Sequence, residues 1–261
     1  MILDEIAAYT KKRIAEQKKS GYYAAVHEAA EALAPKKDNR FKMNLERPGL
    51  SFICEIKKAS PSKGIIAEEF PYLEIAKDYE AGGAAAISCL TEPHWFKGDI
   101  RYLKEVSQAV ETPVLRKDFT VDACQIEEAA VSGASAILLI AAILTDEEIH
   151  TFLSEAKLFG LAAVCEAHDE EEVRRMAAAG AEIIGVNNRN LKDFTIDLHT
   201  AERLRPLIPK GTLYIAESGM MSEDAVRRMK EADADAVLIG EYLMRAHDRR
   251  GLLERLIGEN R

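Results

Sequence analysis

Glu55 and Lys57 stand two residues apart at the end of an otherwise apolar run, Phe52 to Ile56. The two-residue period of a strand puts both side chains on one face and leaves Cys54 and Ile56 for packing on the other. A carboxylate and an ammonium held side by side can take and give protons, which is the equipment of general acid-base chemistry. The pattern recurs down the chain: Arg116-Lys117-Asp118-Phe119 follows Pro113 to Leu115, and Glu166 follows Leu161 to Cys165. Asn187-Asn188-Arg189 follows Ile183 to Val186, and Glu217-Ser218-Gly219 follows Leu213 to Ala216. Any one of these groups reads equally well as a structural ion pair or a solvated strand end. Two lysines, three glutamates, an asparagine and an arginine around one opening do not, because burying them without compensation carries a large desolvation penalty. Neighbouring glutamates are expected to keep such lysines protonated despite burial.

The turns near the end of the chain fit a small anionic ligand. Ser218-Gly219 and Gly240-Glu241 fall in the turns after the last two apolar runs, where a barrel of parallel strands can bind phosphate through main-chain N–H groups and a short helix start. One glycine would only relax a turn; the pair favours a phosphate. Trp95 and Phe96, after the second run, and Leu138, in the fourth, put apolar side chains on the same side. Trp95 reads better as a surface hydrophobe that anchors its loop.

The elements that must position these groups are eight short apolar runs at the spacing of roughly 30 residues per strand–helix unit. They are Phe52 to Ile56, Ala84 to Leu90, Pro113 to Leu115, Ala136 to Ile140, Leu161 to Cys165, Ile183 to Val186, Leu213 to Ala216 and Ala236 to Ile239. Segments of helical period lie between them, such as Glu170 to Ala179 and Ser222 to Ala232. Strands that are apolar throughout are covered on both faces, as in a parallel sheet wrapped by helices. The expected fold is therefore an α/β (β/α)8 TIM barrel, whose polar strand ends share the carboxyl-terminal rim. Residues 1–47 read as an N-terminal extension of one or two amphipathic helices over part of the barrel, and no linker divides residues 1–261.

Composition narrows the classes. A length of 261 residues suits one such barrel, and no apolar run approaches the ~20 residues that cross a bilayer. Met1 to Ser20 mixes Ile2, Leu3, Ile6 and Ile14 with charges and lacks the apolar block of a signal peptide, so cytoplasmic residence is expected. A net charge of -9 disfavours nucleic acid as a partner, and Lys11-Lys12-Arg13 and Lys18-Lys19 read as a solvated helix face. Cys54, Cys89, Cys124 and Cys165 are too dispersed for a disulfide framework, and the absence of CxxC and HExxH spacing argues against zinc.

The segment Glu55-Ile56-Lys57-Lys58-Ala59-Ser60-Pro61-Ser62-Lys63-Gly64 resembles the first-strand signature of indole-3-glycerol-phosphate synthases. Leu115 to Phe119, Glu166-Ala167-His168, Gly185 to Leu191 and Glu217-Ser218-Gly219 are similar to the same family in order and spacing. The resemblance implies ring closure, decarboxylation and dehydration of 1-(2-carboxyphenylamino)-1-deoxyribulose 5-phosphate, without metal or organic cofactor. It implies Lys117 as general acid, Lys57 at the substrate carboxylate or phosphate, Glu55 and Glu166 as the acidic pair, and Asn187 and Glu217 holding substrate. Ser60, Phe96, Leu138, Arg189 and Ser218 match substrate contacts; Ser60, Gly219, Gly240 and the Glu241 main chain match phosphate contacts. Cys54, Cys165 and Asp233 depart from the usual family residues at packing and turn positions. His168 reads as a loop-fixing residue more readily than as a catalyst. Competing readings are a phosphoribosyl isomerase on the same barrel, which would need an Asp or Cys pair at strand ends, and a non-catalytic phosphometabolite-binding barrel. A monomer is the simplest expectation.

Overall fold

Eight strands, all paired in parallel, close on themselves in the computed structural model: β1 (Ser51–Ile56), β2 (Ala86–Leu90), β3 (Val114–Lys117), β4 (Ala136–Ile140), β5 (Ala162–Ala167), β6 (Ile183–Asn187), β7 (Leu213–Glu217) and β8 (Ala236–Ile239). β1 pairs with both β2 and β8, which completes the ring. Residues 2–34, 39–191 and 193–260 are described; Met1, at the head of the stretch read for a signal peptide, lies outside them.

The alternation of each strand sorts its side chains into two apolar layers. Phe52, Cys54 and Ile56 of β1 join Ile137 and Leu139 of β4 and Ile184 and Val186 of β6 in the layer beneath the helices. Ile53, Leu115, Leu138, Val164, Ile183 and Ile215 face inward and fill the barrel. Each fully buried aliphatic side chain contributes roughly 1.5–3 kcal/mol, so the two-sided burial holds the ring shut. The outer layer is covered by α4 (Tyr72–Ala81), α5 (Ile100–Ala109), α6 (Cys124–Val131), α7 (Asp146–Leu158), α8 (Glu170–Ala178), α9 (His199–Leu204), α10 (Glu223–Glu231), α11 (Glu241–Arg245) and α12 (Arg249–Glu259). Asp169 and Ser222 cap α8 and α10 by accepting main-chain N–H bonds, as their place at the head of those segments predicts. Asp233, in the turn before β8, takes φ 60, the left-handed conformation that explains why glycine suits that position.

Among the described residues three helices, not one or two, precede β1: α1 (Ile2–Lys19), α2 (Tyr22–Glu31) and α3 (Arg40–Leu45). α3 seals the amino-terminal end, burying Phe41 and Leu45 among the inward-facing strand residues. Its cap Asn39 donates to the carbonyls of Ser135 and Gly160, just ahead of β4 and β5. α1 lies at the opposite end, with Leu3 and Ile6 in the same inner cluster. Lys11, Lys12 and Lys19 are solvated as expected, but Arg13 is half-buried, 3.5 Å from the Asp118 carboxylate. All four cysteines are free and buried.

Candidate active site

Strand β3 runs two residues further than its apolar stretch suggests, because Arg116 and Lys117 stay in the ladder opposite Cys89 and Leu90. Alternation then sends the two side chains to opposite faces. Arg116 points outward and is buried against Glu128 of α6 at 2.6 Å and Asp118 at 3.2 Å. The Asp118 carboxylate also accepts from Thr91. The strand-end polarity of Arg116 and Asp118 therefore belongs to the barrel wall, and of the three charged residues in that group Lys117 is the one whose side chain turns into the opening.

There Lys117 Nζ lies 3.0 Å from Glu166 and 3.5 Å from Glu217. Burial opposes its charge, yet Glu166, Glu217 and Glu55 outweigh burial and hold the ammonium well above the ordinary lysine range. Lys57 Nζ pairs with Glu55 Oε1 at 2.5 Å, and Ser88 donates to the other Glu55 oxygen at 3.3 Å. Asn187 donates to Glu166 Oε1 at 3.1 Å. The two carboxyls flanking Lys117 are driven apart. Burial raises Glu166, but Lys117, His168 and Asn187 pull it well below the usual range, whereas burial and repulsion from Glu166 and Glu55 lift Glu217. Glu217 Oε1 has no hydrogen-bond partner among the described residues. It lies over Gly185, where a Cβ would meet it at 2.3 Å, so the carboxyl occupies space that only glycine leaves open.

The cavity around these groups opens at the carboxyl ends of the strands. Its lining includes Glu55, Lys57, Ser60, Phe96, Lys117, Leu138, Glu166, Asn187, Arg189, Glu217, Ser218, Gly219, Gly240 and Glu241, every residue that the family resemblance assigns to the site. A short hairpin, Ala59–Ser60 against Gly64–Ile65, carries Ser60 over the mouth. Ser218 and Gly219 adopt φ 63 and 87, and the Ser218 carbonyl accepts from Asn188 Nδ2. A serine in that region costs about 1–3 kcal/mol, the kind of local strain that gathers at ligand sites. A Cβ on Gly219 would strike Ile196 and Leu198 at 2.8 and 2.7 Å, and one on Gly240 would meet Glu55 Oε1 at 2.7 Å. The Gly240 turn thus brings main chain against the charged Glu55–Lys57 pair, and the Gly219 turn brings it against apolar side chains, both at points where a side chain would intrude.

Phe96 faces Phe119 with ring centroids 6.3 Å apart, and Leu138 and Ile140 complete the apolar wall. Glu92, fully buried, accepts the main-chain N–H groups of His94, Trp95 and Phe96 and so fixes the turn that presents Phe96. Trp95 does not line the cavity; it packs edge-on against Tyr9 of α1 at 5.3 Å and anchors its loop, as the sequence reading expects. Phe119, Ile140 and the α1 residues Ile2, Leu3 and Ile6 also line the cavity without being singled out in the sequence. Phe119 closes the Leu115 to Phe119 motif and so had a local signal; the α1 residues had none beyond amphipathic spacing.

The sequence model of one family, indole-3-glycerol phosphate synthase, matches residues 3–256. The chain belongs to the indole-3-glycerol phosphate synthase family. A protein of that name from Ruminiclostridium cellulolyticum is 48% identical over 258 residues, covering 99% of each chain. Another from Endomicrobium trichonymphae is 48% identical over 248 residues, covering 94% of this chain and 95% of its own. Family membership thus extends over the N-terminal helices as well as the barrel. The fold is shared more widely: thiamine phosphate pyrophosphorylase from Pyrococcus furiosus superposes with a TM-score of 0.61 at 15% identity, covering 85% of this chain and 97% of that one.

Proposed function

We propose that the chain closes the indole ring, converting 1-(2-carboxyphenylamino)-1-deoxyribulose 5-phosphate to indole-3-glycerol phosphate with release of carbon dioxide and water. This is a carboxy-lyase step of tryptophan biosynthesis. The observation that carries the reading is the Lys117 ammonium, buried between an ionised Glu166 and a Glu217 of raised pKa, at the foot of a cavity with one apolar wall and two glycine turns. Lys117 gives its proton to the ketone oxygen as the ring carbon bearing the carboxylate attacks the ketone carbon. The bond to the carboxylate then breaks, its electron pair restores the aromatic ring, and carbon dioxide leaves. The new hydroxyl takes a second proton and departs as water, while a base removes a proton from the ring CH2 to give indole.

Glu166, held ionised, is suited to the base; two carboxyls whose acidities are pushed apart divide such work. Lys57, paired with Glu55, stands where it can meet the substrate carboxylate and supply the second proton. Asn187 and Glu217 hold the sugar hydroxyls, with Arg189 beside them, and Phe96, Phe119 and Leu138 face the aromatic ring. The main chain of Ser60, Ser218, Gly219, Gly240 and Glu241 takes the phosphate. Folding a flexible substrate so that its reacting carbons touch supplies much of the acceleration. Within the same reading the chain works as a monomer in the cytoplasm.

An isomerase working through an Asp or Cys pair is not favoured. Asp118 is tied to Arg116 and Thr91 in the wall, and Cys54, Cys89 and Cys165 pack in the outer layer. Incubating the protein with the anilino-deoxyribulose phosphate and following indole absorbance and fluorescence tests the proposal. Absence of indole, with turnover of a phosphoribosyl isomerase substrate instead, would overturn it.

A further inference from the structure

We propose that His168 is a positioning residue for Glu166: braced by Glu172, its imidazolium holds the Glu166 carboxylate between Lys117 and Asn187, in the attitude from which it takes protons. The inference rests on the reading of Glu166 as the base.

His168 follows directly on the end of β5, and its ring lies between two carboxylates. Nδ1 is hydrogen-bonded to Glu172 Oε2 at 3.0 Å, whereas Nε2 lies 3.3 Å from Glu166 Oε1 at ion-pair distance, without the alignment of a hydrogen bond. The same Glu172 oxygen accepts the His168 main-chain N–H at 2.7 Å, so one carboxylate fixes both ring and backbone. Glu172 is itself set in the first turn of α8, where its main-chain N–H donates to the cap Asp169.

A neutral imidazole carries one N–H and one lone pair, so it would turn a lone pair toward one of the two carboxylates. Only the doubly protonated ring suits both sides. Burial opposes that charge, but Glu166 and Glu172 outweigh it and push His168 up to about 10. The charged groups around the ring are Glu166 on β5, Glu172 on α8, Glu217 on β7 and, through Glu166, Lys117 on β3.

The arrangement matters once the reaction begins. Glu166 Oε2 pairs with Lys117, Oε1 accepts from Asn187, and the His168 ring stands at ion-pair distance from the same Oε1. When Lys117 yields its proton, Glu166 loses one of its two cationic neighbours. His168 remains charged and keeps the carboxylate from swinging toward the neutral amine. Groups that orient a reacting side chain through one intermediate contact commonly govern rates by about 10–100-fold.

The test compares steady-state kinetics and unfolding of the full chain with those of His168→Asn, His168→Ala, Glu172→Gln and Glu166→Gln. It adds NMR titration of the His168 ring nitrogens in the parent and in Glu172→Gln. Expected are a fall in kcat of about 10–100-fold in both His168 variants with KM within about twofold, and a smaller fall in the same parameter for Glu172→Gln. The parent ring should stay protonated through neutral pH and titrate at a lower pH once Glu172 is neutralised. The proposal is overturned by a ring that is neutral at pH 7, or by folded His168 variants that lose stability yet keep the parental kcat. Unchanged turnover in Glu166→Gln would instead remove the base reading, and with it the role given to His168.

Discussion

Gly185→Ala offers a sharp test of the geometry at the floor of the site. Gly185 sits in the middle of β6, opposite Ile215, and alanine is at home in a strand, so the backbone itself resists nothing. The added methyl, however, would lie 2.3 Å from Glu217 Oε1 and 3.3 Å from Val164 Cγ1. An unstrained carbon–oxygen contact is more than 3 Å, so the carboxyl must shift by about 1 Å, roughly the misplacement that can cost a site 100-fold in rate. Glu217 lies 3.5 Å from Lys117. Because burial and its neighbours lift Glu217 to about 8, the carboxyl is largely protonated at neutral pH, and the cost of moving it is one of position rather than of a lost unit charge. A fall in kcat of about 10–100-fold is expected, with about 1–3 kcal/mol lost from unfolding in urea through overpacking. The decisive assay is a double-mutant cycle with Glu217→Ala, followed by indole fluorescence. Once the carboxyl is gone, Gly185→Ala should cost little further activity. Full activity in Gly185→Ala, or losses that multiply independently in the pair, would refute the reasoning.

Lys117→Met should lower turnover by roughly 10²–10⁴-fold while binding of a phosphorylated indole product, followed by fluorescence titration, changes far less. Arg116→Met should destabilise the fold by about 3–5 kcal/mol in urea unfolding, because Asp118 and Glu128 are left buried without their cation; a loss under 1 kcal/mol would speak against the wall network. Stability should also depend on pH through His168. Its folded pKa is raised to about 10, so the stabilisation is fully present below its unfolded value of about 6.5 and is lost as pH rises through the folded value. The difference in unfolding free energy between parent and His168→Asn, measured from pH 6 to 10, should therefore shrink with rising pH; a difference that stays flat or grows would contradict it.

The ring of strands and its charged rim were legible because both follow from a two-residue period. Apolar runs broken by Glu55, Lys57, Lys117, Glu166, Asn187 and Glu217 mark where each strand reaches the opening. What failed was the assumption that every polar residue at a strand end looks inward. Arg116 alternates with Lys117, so if one faces the cavity the other cannot, but nothing local reveals that Glu128, on the next helix, waits to neutralise it. The same blindness covers Arg13 and the cavity-lining Leu3 and Ile6. The partner of Arg13 lies 105 residues away and the cluster around Leu3 and Ile6 is gathered from segments dispersed along the chain, and amphipathic spacing shows that a helix has a buried face without showing what it is buried against.

That hidden wiring changes how the N-terminal helices relate to the reaction. Leu3 and Ile6 help line the cavity, while farther along the extension Arg13 reaches Asp118, Tyr23 reaches Glu128, and Lys18 reaches Asp122. Arg116 binds both Asp118 and Glu128 from the outer face of β3, one residue before Lys117. The strand that carries the buried ammonium is therefore clamped from behind by the elements that also close the cavity in front. Exposed Lys18 and Asp122 contribute little to this, since solvent screens such pairs. The buried guanidinium dominates: with its carboxylates satisfied it fixes the register of β3 against α6, and Lys117 inherits that rigidity through a single peptide bond.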